Sequence, residues 1–230
     1  TGKRPNLREG VSLVAGGILF TLVLSLLPSV LAGNHPQAQI VEPIPGLPIA
    51  LSAEPLGTLF GLTASFLWVV TTVYSIGYMR GHGESHQTRF FAFFAIAIAS
   101  TMGIAFADNL FTLFLFYELL TISTYPLVTH AGTVEARQRG RTYLGVLLGT
   151  SVGFLLVAVI WTWNLAGTVD FKEGGILAGT ASPLVIGLLY CLFVFGIGKA
   201  AVMPFHRWLP AAMVAPTPVS ALLHAVAVVK

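Results

Sequence analysis

Three ionisable side chains fall inside long apolar runs: Glu118 in LFLFYELLTIS, Lys199 in FVFGIGKAAVMP and Lys230 in HAVAVVK. A charge at the centre of a membrane helix costs roughly 2.5–3.5 kcal/mol on insertion scales, and such a group is kept where it has a partner or lines a hydrated path. His224 lies six residues before Lys230 and is the other polar group of its run. A carboxylate, two amines and an imidazole in apolar surroundings are the chemistry of proton exchange. A static Glu118–Lys199 pair is the competing reading. Buried ion pairs stabilise poorly against apolar packing, so proton exchange is favoured.

Pro204 follows Lys199 by five residues. A proline removes one backbone hydrogen bond and frees a carbonyl a turn earlier, which membrane proteins tolerate only where protein or water satisfies it. Gly196 and Gly198 loosen the same turn, so a broken helix beside an ionisable lysine is expected. Other patterns carry less. GIGKA fails as a phosphate-binding loop because Phe193 stands where glycine and Ala200 where Ser or Thr is needed. His82, Glu84 and His86 lack the order of a helix-borne metal motif and read as a solvated loop.

These residues must be held by membrane helices. The 230 residues include only 12 Lys/Arg and 9 Asp/Glu against 55% hydrophobic residues, with a mean hydropathy of +0.83. A soluble surface is usually about a quarter charged. Apolar runs near the spanning length of ~20 residues cover roughly 7–32, 56–79, 88–106, 109–129, 142–163 and 183–203, with a last run from about 218. The proline-dotted stretch 34–55 reads as an extended loop. Glu118 then lies about nine residues into its helix, or ~14 Å at the helical rise.

Loop charges test the division independently. Lys3, Arg4, Arg8 and Glu9 precede the first span; Glu42 and Glu54 follow it; Arg80, Glu84 and Arg89 come next, then Asp108. Glu135, Arg137, Arg139 and Arg141, then Asp170, Lys172 and Glu173, then Arg207 complete the series. Basic and acidic loops alternate, which places the basic ones in the cytoplasm. The positive charges are too scattered for a nucleic-acid stripe. The single cysteine, Cys191, excludes a disulfide framework or cysteine-based metal site and reads as a packed apolar thiol. Asp108 is expected to cap the helix after it, His130 and His206 to sit at membrane edges, and Gly145, Gly149 and Gly153 to form a close-packing face. The last run, cut about 13 residues past its proline entrance, makes the sequence read as part of a longer protein.

The segments NLFTLFLFYELLTISTYPLV, YSIGYM and GKAAVMPFHRWLPAAMVAPTPVSALLHAVAVVK together resemble the proton-translocating antiporter-like subunits shared by Mrp-type cation/proton antiporters and respiratory complex I. Within that group YELLTISTYPLVTH and Lys230 are most similar to the D-type Mrp subunits. The resemblance implies two inverted five-helix repeats, each with a discontinuous helix. It implies that Glu118 is the essential glutamate, Lys199 the lysine of the broken helix, His224 the linking histidine and Lys230 the central-axis lysine. The second repeat and its exit-side residues are absent from this sequence.

The expected fold is therefore an all-α polytopic transmembrane bundle with a Pro-broken helix at Pro204, the first half of an inverted-repeat transporter. Residues 1–87 would form N-terminal helices and an outer loop, and residues 88–230 the first transport repeat, truncated in its last helix. The expected function is proton conduction within a multisubunit monovalent cation/proton antiporter of the cell inner membrane. Its partners would be other membrane subunits, protons and a cation such as sodium. The rival readings are a proton-pumping subunit of a complex I-type NADH-quinone oxidoreductase and a non-transporting scaffold subunit. No covalent chemistry, cofactor or metal site is expected.

Overall fold

The structure, a computed structural model, describes residues 4–172 and 174–228. It contains helices α1 (Pro5–Leu31), α2 (Pro55–Gly81), α3 (Gln87–Ala105), α4 (Leu110–Val128), α5 (Val134–Thr150) and α6 (Leu156–Ala166), the last two joined by a π-helical turn, Ser151–Leu155. After α7 (Pro183–Gly196) the chain continues in short pieces: 3-10 turns at Gly198–Ala200 and Phe205–Arg207, then α8 (Trp208–Ala212), α9 (Thr217–Leu222) and a π-helical segment, Leu223–Val228. Among the described residues, five helices are long and apolar enough to cross a membrane, counting Val134–Ala166 as one, and α7 is a shorter apolar helix. The protein is a multi-pass membrane bundle.

Three boundaries differ from the sequence expectation, each for a local reason. The stretch 34–55 is not simply an extended loop but carries an antiparallel hairpin, β1 (Gln37–Ile44) with β2 (Leu47–Ser52). Gly46 turns it at φ +83, and the ladder shifts register between Gln39 and Val41 and between Val41 and Ile44. Irregular ladders accommodate prolines that cannot donate, so Pro43 in β1 and Pro48 in β2 do not abolish the strands. The α5 helix begins at Val134, eight residues before the apolar run, because Thr133 caps it by accepting from the Ala136 N–H at 3.1 Å. A Glu135–Arg139 pair at 3.6 Å lies along its polar first turns. The third difference, the place where α7 breaks, bears on the site and is described with it.

Asn109, not Asp108, caps α4. Its Oδ1 accepts from the Thr112 N–H at 2.8 Å and its Nδ2 donates to the Pro48 carbonyl at 3.0 Å. The Ala50 N–H donates to Thr112 Oγ1 at 3.0 Å, and the Ser52 N–H to the Phe106 carbonyl at 2.7 Å. The hairpin thus grips the start of α4 and sets the depth of everything on it. Burial and the neighbouring Asp170 hold the Asp108 carboxyl above the usual carboxylate range.

At the opposite end, Glu9 of α1 accepts from Arg8 at 2.9 Å and from Arg80 of α2, while Arg8 also donates to Gln87 at the start of α3 at 2.7 Å. Arg8 and Glu9 are buried residues of α1, although the loop-charge count grouped them before the first span. Nearby, Arg89 donates to the His130 carbonyl at 3.0 Å. The acidic loops gather at one end, since Leu51 pairs with Ala107 and Asn109 with Asp170, and the basic ones at the other. The core between them runs from Trp68 and Met79 through Phe90, Phe91, Phe94 and Leu120 to Tyr143, Trp208 and Leu222.

Cysteines introduced at Ser85 and at Gln138 should therefore be labelled by an impermeant reagent from the cytoplasmic side, and one at Gly174 from the outer side. All three positions are exposed. Labelling of Gln138 and Gly174 from one side would contradict the arrangement.

Candidate functional site

Glu118 lies on α4, part-buried, with Oε1 enclosed and without a hydrogen-bond partner among the described residues. Ser151 on the π-helical turn and Lys199 are polar groups that act on its carboxylate. Lys199 is 2% exposed. Its ammonium donates to the Tyr117 carbonyl at 2.5 Å and stands 3.6 Å from the centroid of the Tyr117 ring, while its backbone N–H donates to Tyr117 Oη at 3.1 Å. The two residues expected to work together are thus brought to one turn of α4.

The break that places Lys199 there is not at Pro204. Helix α7 ends at Gly196, Lys199 sits in the 3-10 turn that follows, and Ala201 adopts a left-handed conformation with φ +53. Pro204 comes later, at the entrance of the next 3-10 turn. The glycines decide the position. A Cβ on Gly196 would stand 2.6 Å from the Leu155 nitrogen and 2.7 Å from its Cα, and one on Gly198 would collide with Thr150 Oγ1. Only bare backbone lets α7 press against the π turn that faces Glu118. Such turns insert an extra residue into a helix and recur at functional sites.

Aromatic side chains tie down the broken stretch, where the Gly198 carbonyl also accepts from the Ala201 N–H at 3.1 Å. Trp208 Nε1 donates to the Gly198 carbonyl at 2.8 Å, its ring lies 5.6 Å from that of Tyr143, and Tyr143 Oη shares a 2.6 Å hydrogen bond with Thr124 of α4. This strut returns to the Glu118 helix six residues further on. Tyr117, Ser151, Trp208, Tyr143 and Thr124 did not stand out in the sequence. Tyr and Trp in an apolar run each carry a polar atom that needs a partner, and that signal could have marked three of the five.

His224 lies in the segment Leu223–Val228, which packs against the Lys199 turn, with its own side chain exposed. Lys230 lies outside the described residues. His206 is exposed as expected at an edge. His130 is not: it is 1% exposed, beside Phe90, with Glu84 Oε2 at 3.8 Å from Nε2. Burial, then the charge of Arg89, hold its imidazole below the ordinary value, outweighing the pull of Glu84, so near neutral pH the Glu84 contact is not a salt bridge. Cys191 is exposed rather than packed. Gly145, Gly149 and Gly153 have open space where a Cβ would go and meet no neighbouring helix among the described residues.

Residues 107–230 match the family model described as NADH:quinone oxidoreductase/Mrp antiporter, TM. The chain belongs to this family. A putative antiporter subunit mnhA2 of Staphylococcus epidermidis is 29% identical over 230 residues, covering 96% of this chain and 28% of the relative. The A1 subunit of a Na(+)/H(+) antiporter of Staphylococcus aureus is 29% identical over 219 residues, covering 93% of this chain and 27% of the relative. The chain thus spans little more than a quarter of the curated relatives it matches. A chain in the structure of the Mrp complex from Dietzia sp. superposes with a TM-score of 0.80 at 29% identity, over 98% of this chain and 25% of that one. The membrane-bound sulfane sulfur reductase, an archaeal respiratory membrane complex, shares the fold at a TM-score of 0.82 and 22% identity, over 98% of this chain and 47% of that one. The family expected from YEL, the lysine and FHRWLP is the one found, while the two curated relatives carry A-type names where the sequence most resembled the D type.

Two outcomes follow from this geometry. Gly196→Ala should destabilise the bundle by about 1–3 kcal/mol, the usual cost of overpacking, seen as a lowered Tm in detergent. Because the folded His130 resists protonation, the unfolded chain binds the extra proton first, so stability should fall as pH drops through its ordinary value of 6.5. His130→Gln should flatten that slope.

Proposed function

We propose that this chain is the proton-conducting first part of a membrane subunit of a multisubunit monovalent cation/proton antiporter. The observation that carries the reading is the burial of Lys199 at a break in α7, against the residue that precedes Glu118. A lysine on a short irregular turn can move; a lysine in a continuous helix is fixed by its ladder. Protons enter from the cytoplasm by the irregular stretch between Ile197 and Pro204. Glu118 modulates the charge of Lys199, and the proton passes by His224 and Lys230 toward a second half.

Under this reading residues 88–230 are the first transport repeat and residues 1–87 the helices that brace it. The partners are further membrane subunits, as the Mrp complex likeness supports. Sodium is the favoured cation, on the name of the Staphylococcus aureus relative. The family description also includes quinone oxidoreductases. Co-purification with flavin and iron–sulfur subunits would favour a redox-driven pump, and co-purification with other antiporter subunits the cation/proton exchanger.

Proton flux should be measured in liposomes holding the full-length protein with its co-purifying subunits. Glu118→Gln keeps shape and removes charge, and should cut flux by roughly two orders of magnitude, the scale of positioned proton transfer, with the composition of the assembly unchanged. Lys199→Arg should fail as well, because arginine does not release its proton in a protein. Near-normal flux in both would leave the pair as a structural brace and the chain as a scaffold.

A further inference from the structure

We infer that Tyr117 is a positioning residue whose ring seats the Lys199 ammonium beside Glu118, a role that rests on the transport reading above. Three separate contacts join the two residues: Nζ to the Tyr117 carbonyl, Nζ over the ring at 3.6 Å, and the Lys199 N–H to Tyr117 Oη at 3.1 Å. One residue therefore holds both the backbone of the lysine turn and its charged end.

The ring has a task that the carbonyl cannot perform alone. The Tyr117 carbonyl also accepts from Thr121 Oγ1 at 3.0 Å, and a carbonyl has two lone pairs. It sits inside α4, where the helix ladder claims it too. The aromatic face adds negative potential beside that crowded acceptor. Cation–π contacts reach about 2 kcal/mol when desolvated, and Tyr117 and Lys199 are both buried. Successive residues on a helix point about 100° apart. Ring and carboxylate thus offer the lysine two adjacent places on one turn, and the ring fixes its starting point.

Side-chain replacement leaves the carbonyl in place, so it tests ring and hydroxyl only. Phenylalanine at 117 is the reference, and mono-, di- and trifluorophenylalanine introduced at the same site drain the negative face of the ring stepwise at nearly constant size. Flux through the full assembly in liposomes should fall with each fluorine, by about tenfold from phenylalanine to the trifluoro residue, within the range of a desolvated contact. A packing role is blind to fluorine number. A flat series, or one that rises, overturns the proposal. Lys199→Met, measured beside it, separates the two levels of the reading. If that variant loses flux and the series is flat, the ring seat alone fails. If it keeps flux, transport through the lysine fails and the seat fails with it.

Discussion

An ammonium group with almost no exposure, set among apolar helices, is the constraint on which the site depends. Such a charge must find negative potential within a few ångströms. Lys199 finds it on α4, and only because α7 stops three residues short of it. Interrupting a helix inside a membrane exposes backbone that lipid cannot satisfy. The Trp208 indole answers one such demand at the Gly198 carbonyl, and the Tyr117 hydroxyl answers another at the Lys199 N–H. The two aromatic residues turn a costly break into a defined one.

The height of the site is set from outside it. The hairpin holds the first turn of α4 through Asn109 and Thr112, so Glu118 sits about nine residues below a fixed point. At the other end Glu9 gathers Arg8 and Arg80, and Arg8 reaches Gln87, tying α1, α2 and α3. Neither clamp belongs to the lysine, yet each removes a way for the helices to slide past one another.

Much of this was legible in the sequence. The order of apolar runs, the alternation of loop charge and the isolation of Glu118 and Lys199 follow from transfer cost, which acts residue by residue. The break was misplaced because proline announces itself in one letter, whereas Gly196 and Gly198 act through the proximity of Leu155 and Thr150, which no local pattern records. Asp108 stands before an apolar run as an acidic cap would, but the neighbouring hairpin needs a side chain that both accepts and donates, and Asn109 is that side chain. His130 looked interfacial because it ends an apolar run; packing of Phe90 and Arg89 over it enclosed it. Tyr117 carries no charge, and its contacts are with a lysine 82 positions away, so no local pattern marks it.

The π-helical turn Ser151–Leu155 has a consequence for anyone who aligns or redesigns this segment. One additional residue advances the helix by about 100°, so α5 and α6 present their buried faces in different phases although they read as a single run from Val134 to Ala166. A helical wheel drawn through both halves mixes the inward Tyr143 and Leu147 with a rotated set containing Ala158, Val159 and Thr162. A relative one residue shorter at this turn would have to swing its whole outer half toward lipid or give up the bulge that meets Gly196. Gaps at this position therefore sort homologues by whether they keep the geometry opposite Glu118.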